Sequence, residues 1–277
     1  MFLPIDIFIG CCCPNARCAT ILQVEFTIVF EDIIVFFIAV IIAVIILTIA
    51  DVGRRKLNLH SDSTRKIIHL FAGAAVWTVP YYPHPWVATF VALLFVMMLG
   101  MANTERFGRF FAAMARPEDL DHGSVRGPFW YAVSITTLTA IFTFTGNAAI
   151  YFVAGGAITI MMLGDGMSAP IGMKYGANHT KVIFGSKRSI QGSLALFVFG
   201  FLGAMIAFWW FGIFSLAAPI FTPGVGYVNM VLLAFIGAVT ATIVELISPK
   251  GTDNITLPMV SCVVMFLVAM QMGLLGF

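Results

Sequence analysis

Arg65, Lys66 and His69 stand together in Ser63-Thr64-Arg65-Lys66-Ile67-Ile68-His69, where an apolar run begins. On a helix, Arg65 and His69 share a face, and Asp62, Ser63 or Thr64 can cap its N-terminus. Two cations beside a helix N-terminus suit a phosphate group, although the same cations also serve as interfacial anchors. His69 adds a titratable group inside an apolar stretch, where ionisable residues are costly.

A second constellation is Gly164-Asp165-Gly166-Met167-Ser168-Ala169-Pro170-Ile171-Gly172-Met173-Lys174-Tyr175-Gly176. Asp165 follows an uncharged apolar span directly, and a bound cation is a natural partner for a carboxylate at that depth. If helical, Asp165, Ala169, Gly172 and Gly176 form one stripe. Such a stripe lets another backbone or a ligand come close. Pro170 predicts an interruption of helix geometry near Gly166, which would turn backbone groups toward a ligand. Close helix packing plus a simple loop carboxylate is the plainer reading.

Two further groups complete the set. Gly185-Ser186-Lys187-Arg188-Ser189-Ile190-Gln191-Gly192-Ser193 joins two cations to glycines and hydroxyls, a composition suited to a phosphate-cradling turn. It lacks the order of a Walker A loop. Glu245 ends an apolar span, and Asp253, Asn254 and Thr256 open the next. Asp253 or Asn254 can serve simply as a helix cap. Together the four groups offer cations for phosphates, carboxylates for a divalent metal, and a His or carboxylate for proton transfer. Those are the ingredients of phosphoryl or nucleotidyl transfer.

These residues act together only if the intervening elements bring them to one place. The chain has 277 residues, 60% hydrophobic and 10% charged. Soluble domains carry roughly 25% charge, so lipid must solvate most of this surface. A net charge of +2 without charge runs argues against a nucleic-acid partner. Eight spans are expected, over 31–50, 67–82, 86–103, 129–146, 148–165, 191–212, 227–247 and 256–276. The second is weak, since it holds His69 and ends at Pro80. The Pro- and Gly-rich stretch 213–226 is expected to be interfacial or re-entrant, which leaves seven or nine spans as alternatives. The fold class is therefore all-α, a polytopic transmembrane bundle.

Fourteen of the 15 basic residues then fall in alternate loops, Arg17 being the exception. That bias assigns those loops, and all four constellations, to the cytoplasmic face, with both termini outward. An acceptor reachable from within the bilayer is most naturally a lipid alcohol. Residues 1–30 read as a hydrophobic N-terminal leader, and residues 31–277 as a single transmembrane catalytic domain. No basic segment precedes the first apolar residues, which argues against a cleaved signal peptide. Cys11, Cys12, Cys13 and Cys18 cluster in the leader. They could ligate a metal or carry an acyl chain, but no second CxxC or His pair accompanies them.

The motifs resemble those of the polyprenol kinase family, which includes dolichol, phytol and farnesol kinases and a CTP-dependent diacylglycerol kinase. Arg65-Lys66-x-x-His69 resembles its RKxxH signature. Gly164-Asp165 with Ala169, Gly172 and Gly176 resembles its GDxxA…G…G element, with Ala displaced by one place or Ser168 standing in for it. Ser189-x-x-Gly192-Ser193 resembles KSxEGS, and Glu245 with Asp253-Asn254-x-Thr256-x-Pro258 resembles VExxS…DNxTxP. The order runs from about residue 63 to 260. Two departures stand out: Gln191 replaces the usual Glu, and Arg188, preceded by Lys187, occupies the usual Lys position. CDP-diacylglycerol synthases share parts of the pattern, but not RKxxH in this place.

The resemblance implies CTP as donor, Mg²⁺ or another divalent cation, and a polyprenol, phytol, farnesol or dolichol acceptor. It implies Asp165 as metal ligand, with Asp253 or Glu245. Arg65, Lys66, Lys187 and Arg188 would hold phosphates, with Ser189, Gly192, Ser193 and Asn254 beside the nucleotide. His69 or a carboxylate would take the alcohol proton. A cytidylyltransferase making CDP-lipids and an ion-coupled transporter are the alternatives. The sequence leaves the oligomeric state open.

Overall fold

The computed structural model describes residues 27–57, 73–101, 126–176, 180–249 and 251–276. Apart from one short hairpin, their regular structure is helical. The helices are α1 (Phe30–Leu57), α2 (Ala88–Met101), α3 (Arg126–Thr143), α4 (Ala148–Tyr175), α5 (Ile190–Phe214), α6 (Val225–Ile247) and α7 (Asp253–Gln271). The hairpin pairs β1 (Thr180–Ile183) with β2 (Ser186–Ser189). Among the described residues four helices, α4 to α7, are long and apolar enough to cross a membrane. Their outward faces are apolar: Leu194, Val198, Leu202 and Ile206 of α5 are exposed at four-residue intervals. A face of that kind is covered by lipid, and the chain is an all-α membrane protein.

α4 is the central helix. The buried share of its apolar window is 83%, against 44% for α5 and α6 and 39% for α7. Tyr151 to Thr159 are all buried, as suits a helix without a polar face. α5 runs antiparallel along it in a register fixed by small residues. A Cβ on Gly164 would lie 3.0 Å from the Leu196 carbonyl and 3.2 Å from Gly200 Cα. On Gly203 it would lie 2.9 Å from the Thr159 carbonyl, and on Gly192 3.1 Å from that of Ser168. Near the far end, Gly155 and Gly156 receive the rings of Phe211 and Phe208. Without a hydrophobic drive between helices in lipid, such backbone approach is a main source of association.

α4 departs from the expected 148–165 span. It continues to Tyr175, and Ile160–Asp165 is a π-helical turn. The distortion expected near Gly166 is thus present as a widened turn, not a break. Pro170, which withholds the N–H that would bond Gly166, follows in the resumed α-helix. The Gly- and Ala-rich segment after Asp165 loses hydropathy without meeting a helix stop, so the apolar run ends before the helix does.

Two other segments differ from simple spans. Gly73–Tyr81 is a 3-10 helix, and Gly73, Val76 and Val79 are buried at its three-residue period. At about 2 Å rise per residue, nine residues cover about 18 Å, less than the bilayer core. Residues 215–224 form a return loop. The Ile220 N–H donates to the Gly212 carbonyl at 2.8 Å, and Phe221 is fully buried against Phe152 and Phe208. At the same end Asp32 is buried, accepting from the Val29 and His84 N–H groups at 3.1 and 3.0 Å and meeting His84 Nδ1 at 2.8 Å. These bonds fasten the start of α1 to the loop before α2.

Candidate active site

The opposite end of the bundle gathers the chemically capable residues. It comprises the starts of α3, α5 and α7, the ends of α4 and α6, and the hairpin. The hairpin escaped the sequence reading because each strand is only four residues long. Its turn is Phe184-Gly185, with φ of +45° and +79°. Two positive φ values are what a tight primed turn requires. β2 runs directly into α5, so Arg188 is held at that helix's N-terminus. Ser189 caps α5: its Oγ accepts from the Gly192 N–H at 3.1 Å. The positive end of a long helix and a guanidinium therefore adjoin, a combination that attracts anions.

Arg188 reaches across to both carboxylates of the fourth constellation. Its Nη1 donates to Glu245 Oε1, and Nη2 lies 3.6 Å from Asp253 Oδ2. The Arg188 and Glu245 side chains are only 12% and 4% exposed, and that of Asp253 17%. The α6–α7 turn brings the two carboxylates together. Gly251 takes φ +85° within it, and the Ser248 and Thr256 hydroxyls meet at 2.6 Å across it. Arg188 Nε and Nη2 are buried and have no hydrogen-bond partner among the described residues.

Asp165 lies in the π turn of α4, 8% exposed. It is near enough to the Tyr131 phenol of α3 to act on it electrostatically. A Cβ on Gly73 would strike Met162 and the Tyr131 hydroxyl. The start of the 73–101 segment thus packs against Met162 of α4 and Tyr131 of α3. Arg65, Lys66 and His69 lie outside the described residues, as do Cys11, Cys12, Cys13 and Cys18. Nothing is described of the Lys187 side chain.

The remaining candidates have packing partners. A Cβ on Gly172 would lie 2.8 Å from Ser189 Oγ, and one on Gly176 2.5 Å from the same atom and 2.8 Å from Gln191 Oε1. These glycines admit the α5 cap. Ala169 and Ser193 are half-buried nearby in sequence, on α4 and α5. Asn254 ties α7 to α3: its Nδ2 donates to the Gly127 carbonyl at 3.0 Å, and its own carbonyl accepts from Ser134 Oγ at 2.7 Å. The sequence reading passed over Tyr131 and Ser134. Their signal was two polar side chains three residues apart in an apolar helix, hence on one face.

Among the described residues no three His, Cys, Asp or Glu side chains cluster as a ready-made metal cage. The carboxylates at this end are Asp165, Glu245 and Asp253, the donor type that Mg²⁺ takes. That ion is typically held by one or two carboxylates, with water and substrate phosphates completing its shell. A cavity of about 440 Å³ lies at the other end of the bundle, among Tyr82, His84, Trp86, Tyr151 and Phe211. It contains none of these residues and plays no part in the site.

A probable phytol kinase 1 of rice chloroplasts is 24% identical over 221 residues, covering 76% of this chain and 65% of the relative. The chain is thus similar to phytol kinases. A probable phytol kinase of maize chloroplasts is 25% identical over 221 residues, covering 76% of this chain and 67% of its own. The phytol kinase of Synechocystis is 27% identical over 228 residues, covering 79% and 84%. The match spans a little under two thirds of the rice relative's length. No family model matches the chain, and no solved structure does. This likeness agrees with the family resemblance of the motifs.

Proposed function

We propose that this chain is a CTP-dependent lipid-alcohol kinase. It moves the γ-phosphoryl group of CTP to the hydroxyl of a membrane-embedded isoprenoid alcohol, such as phytol, farnesol, geranylgeraniol or a longer polyprenol. The observation that carries the reading is the meeting of Arg188 with Glu245 and Asp253, beside the α5 N-terminus. A phosphate and a divalent cation both find complementary charge there. The phytol kinase relatives support the acceptor class.

In the reaction the alcohol oxygen forms a bond to the γ-phosphorus as the bond to the β-phosphate oxygen breaks. CDP leaves, and the alcohol proton passes to a carboxylate or to His69. Mg²⁺ at Asp165 and Asp253 would neutralise charge on the transferring phosphates. Arg65, Lys66, Lys187 and Arg188 orient the triphosphate, and the α5 N-terminus adds its partial positive charge. Such transfer needs positioning and charge neutralisation and no covalent nucleophile. The bias of basic residues supports eight spans with the site on the cytoplasmic face.

The test presents purified full-length protein with Mg²⁺, a prenol panel, and either CTP or ATP. The proposal expects phosphorylation with CTP and its loss in Asp165→Asn. No phosphorylated alcohol with either nucleotide would overturn it.

A further inference from the structure

The register of the hairpin brings a second cation beside Arg188. Successive side chains of a strand point to opposite faces, and residues paired across an antiparallel ladder share a face. The partner of Arg188 in β1 is Lys181. Lys181 therefore stands on the face from which Arg188 reaches Glu245. Burial marks that face as the inner one. Ile183, two residues beyond Lys181, is half-buried, whereas Val182 between them is 70% exposed. Two cations directly opposite each other destabilise a ladder, and a two-stranded hairpin has little stability to spare. The hairpin, Thr180 to Ser189, contains no acidic residue to offset the pairing. Glu245 engages Arg188 from α6, but Lys181 is exposed and forms no ion pair among the described residues.

We propose that Lys181 is a phosphate ligand of the nucleotide, meeting from β1 the same phosphate chain that Arg188 meets from β2. This deepens the kinase reading and rests on it. Paired residues in a ladder have Cβ atoms roughly 4.5–5.5 Å apart, so both heads can reach one polyphosphate. An anion between them turns mutual repulsion into joint attraction. The two cations contribute differently. Arg188 is held by Glu245 and offers a planar fork, whereas Lys181 is a mobile point charge with three donors. The lysine can follow the phosphates as they enter, because its strand is largely exposed. A phosphate on a lipid headgroup has the same chemistry, and the experiment separates the two sources.

The full chain, in nanodiscs of phosphatidylcholine alone or with phosphatidylglycerol, is titrated calorimetrically with CTP and with inorganic tripolyphosphate, each with Mg²⁺. In Lys181→Gln both affinities should fall about tenfold in either lipid, the worth of one hydrogen bond to a charged group. Lys181→Arg should restore most of the loss. Lys174→Gln removes another exposed lysine, in the last turn of α4, and should change neither affinity. Without ligand, Lys181→Gln should melt no lower than wild type, because an opposed pair of cations is gone; CTP should then raise its melting temperature less. A merely structural lysine would lower the melting temperature and leave affinity intact. If Lys181→Gln does not fold, Lys181→Glu decides: it can pair with Arg188 across the ladder, and it should bind both ligands more weakly still. Unchanged affinity for CTP and tripolyphosphate in the folded variant overturns the proposal, whether or not anionic lipid is present, and so does an equal loss in Lys174→Gln. Wild-type protein that binds neither ligand overturns it too. Tripolyphosphate binding needs neither alcohol nor transfer. A chain that phosphorylates no lipid alcohol, yet loses tripolyphosphate affinity in Lys181→Gln, would refute the kinase reading while leaving the lysine's role as a phosphate ligand standing.

Discussion

Gly164→Ala probes the contact that sets the site's geometry. The added Cβ would lie 3.0 Å from the Leu196 carbonyl oxygen, 3.2 Å from Gly200 Cα and 3.3 Å from the Gly200 nitrogen. All three are backbone atoms, so no side-chain rotation relieves the overlap. Ordinary contact needs about 3.5–4.0 Å, and α5 must therefore retreat from α4 by a few tenths of an ångström. Overpacking of this kind costs about 1–3 kcal/mol. The retreat also shifts the α5 N-terminus, and with it Arg188 and Ser189, relative to Asp165 next door. Thermal unfolding in detergent should show the loss, and lipid-alcohol phosphorylation should fall by more than the folded fraction does. Gly100→Ala is the control, since its nearest atom is a Phe129 ring carbon at 3.8 Å. A Gly164→Ala protein as stable and as active as wild type would refute the packing argument.

Other substitutions test other links. Glu245→Ala leaves Arg188 in a buried site without its bonded partner, and unfolding titrations should show a loss of about 3–5 kcal/mol. Asp165→Asn keeps the shape of a buried side chain and removes its charge; phosphoryl transfer should fall about 100-fold or more while the melting temperature stays near wild type. Asn254→Ala deletes the bond to the Gly127 carbonyl and should cost about 1–2 kcal/mol in unfolding titrations, with a smaller effect on transfer than Asp165→Asn. Asp32→Ala, at the far end, should lower thermal stability and leave CTP affinity unchanged.

The sequence showed well where polar residues interrupt apolar runs. Glu245 and Asp253 stood out because a carboxylate at the edge of a span demands a partner, and the structure supplies Arg188. The distortion near Gly166 followed from Pro170. Its form as a π turn did not, because the choice between a break and a widened turn depends on how α5 packs against Gly164. Apolar runs of spanning length placed most ends of the helices from α3 to α7 within a few residues. It failed for the end of α4, where hydropathy drops while helix geometry persists. The hairpin was hidden because four-residue strands carry too short a pattern, and because Phe184 is an unexpected residue at positive φ. Which cation meets the carboxylates was also illegible. Lys187 and Arg188 are neighbours in composition, and only the path of β2 into α5 brings Arg188 to Glu245.

The central claim is transfer of one phosphoryl group from CTP to a lipid alcohol. The most direct measurement supplies CTP labelled at the γ-phosphate to the full chain in nanodiscs, with Mg²⁺ and phytol or farnesol, and identifies both products. The account predicts labelled prenyl monophosphate and CDP in equal amounts, both lost in Asp165→Asn. Labelled pyrophosphate with a cytidylylated lipid, or no labelled lipid from any alcohol, would contradict it.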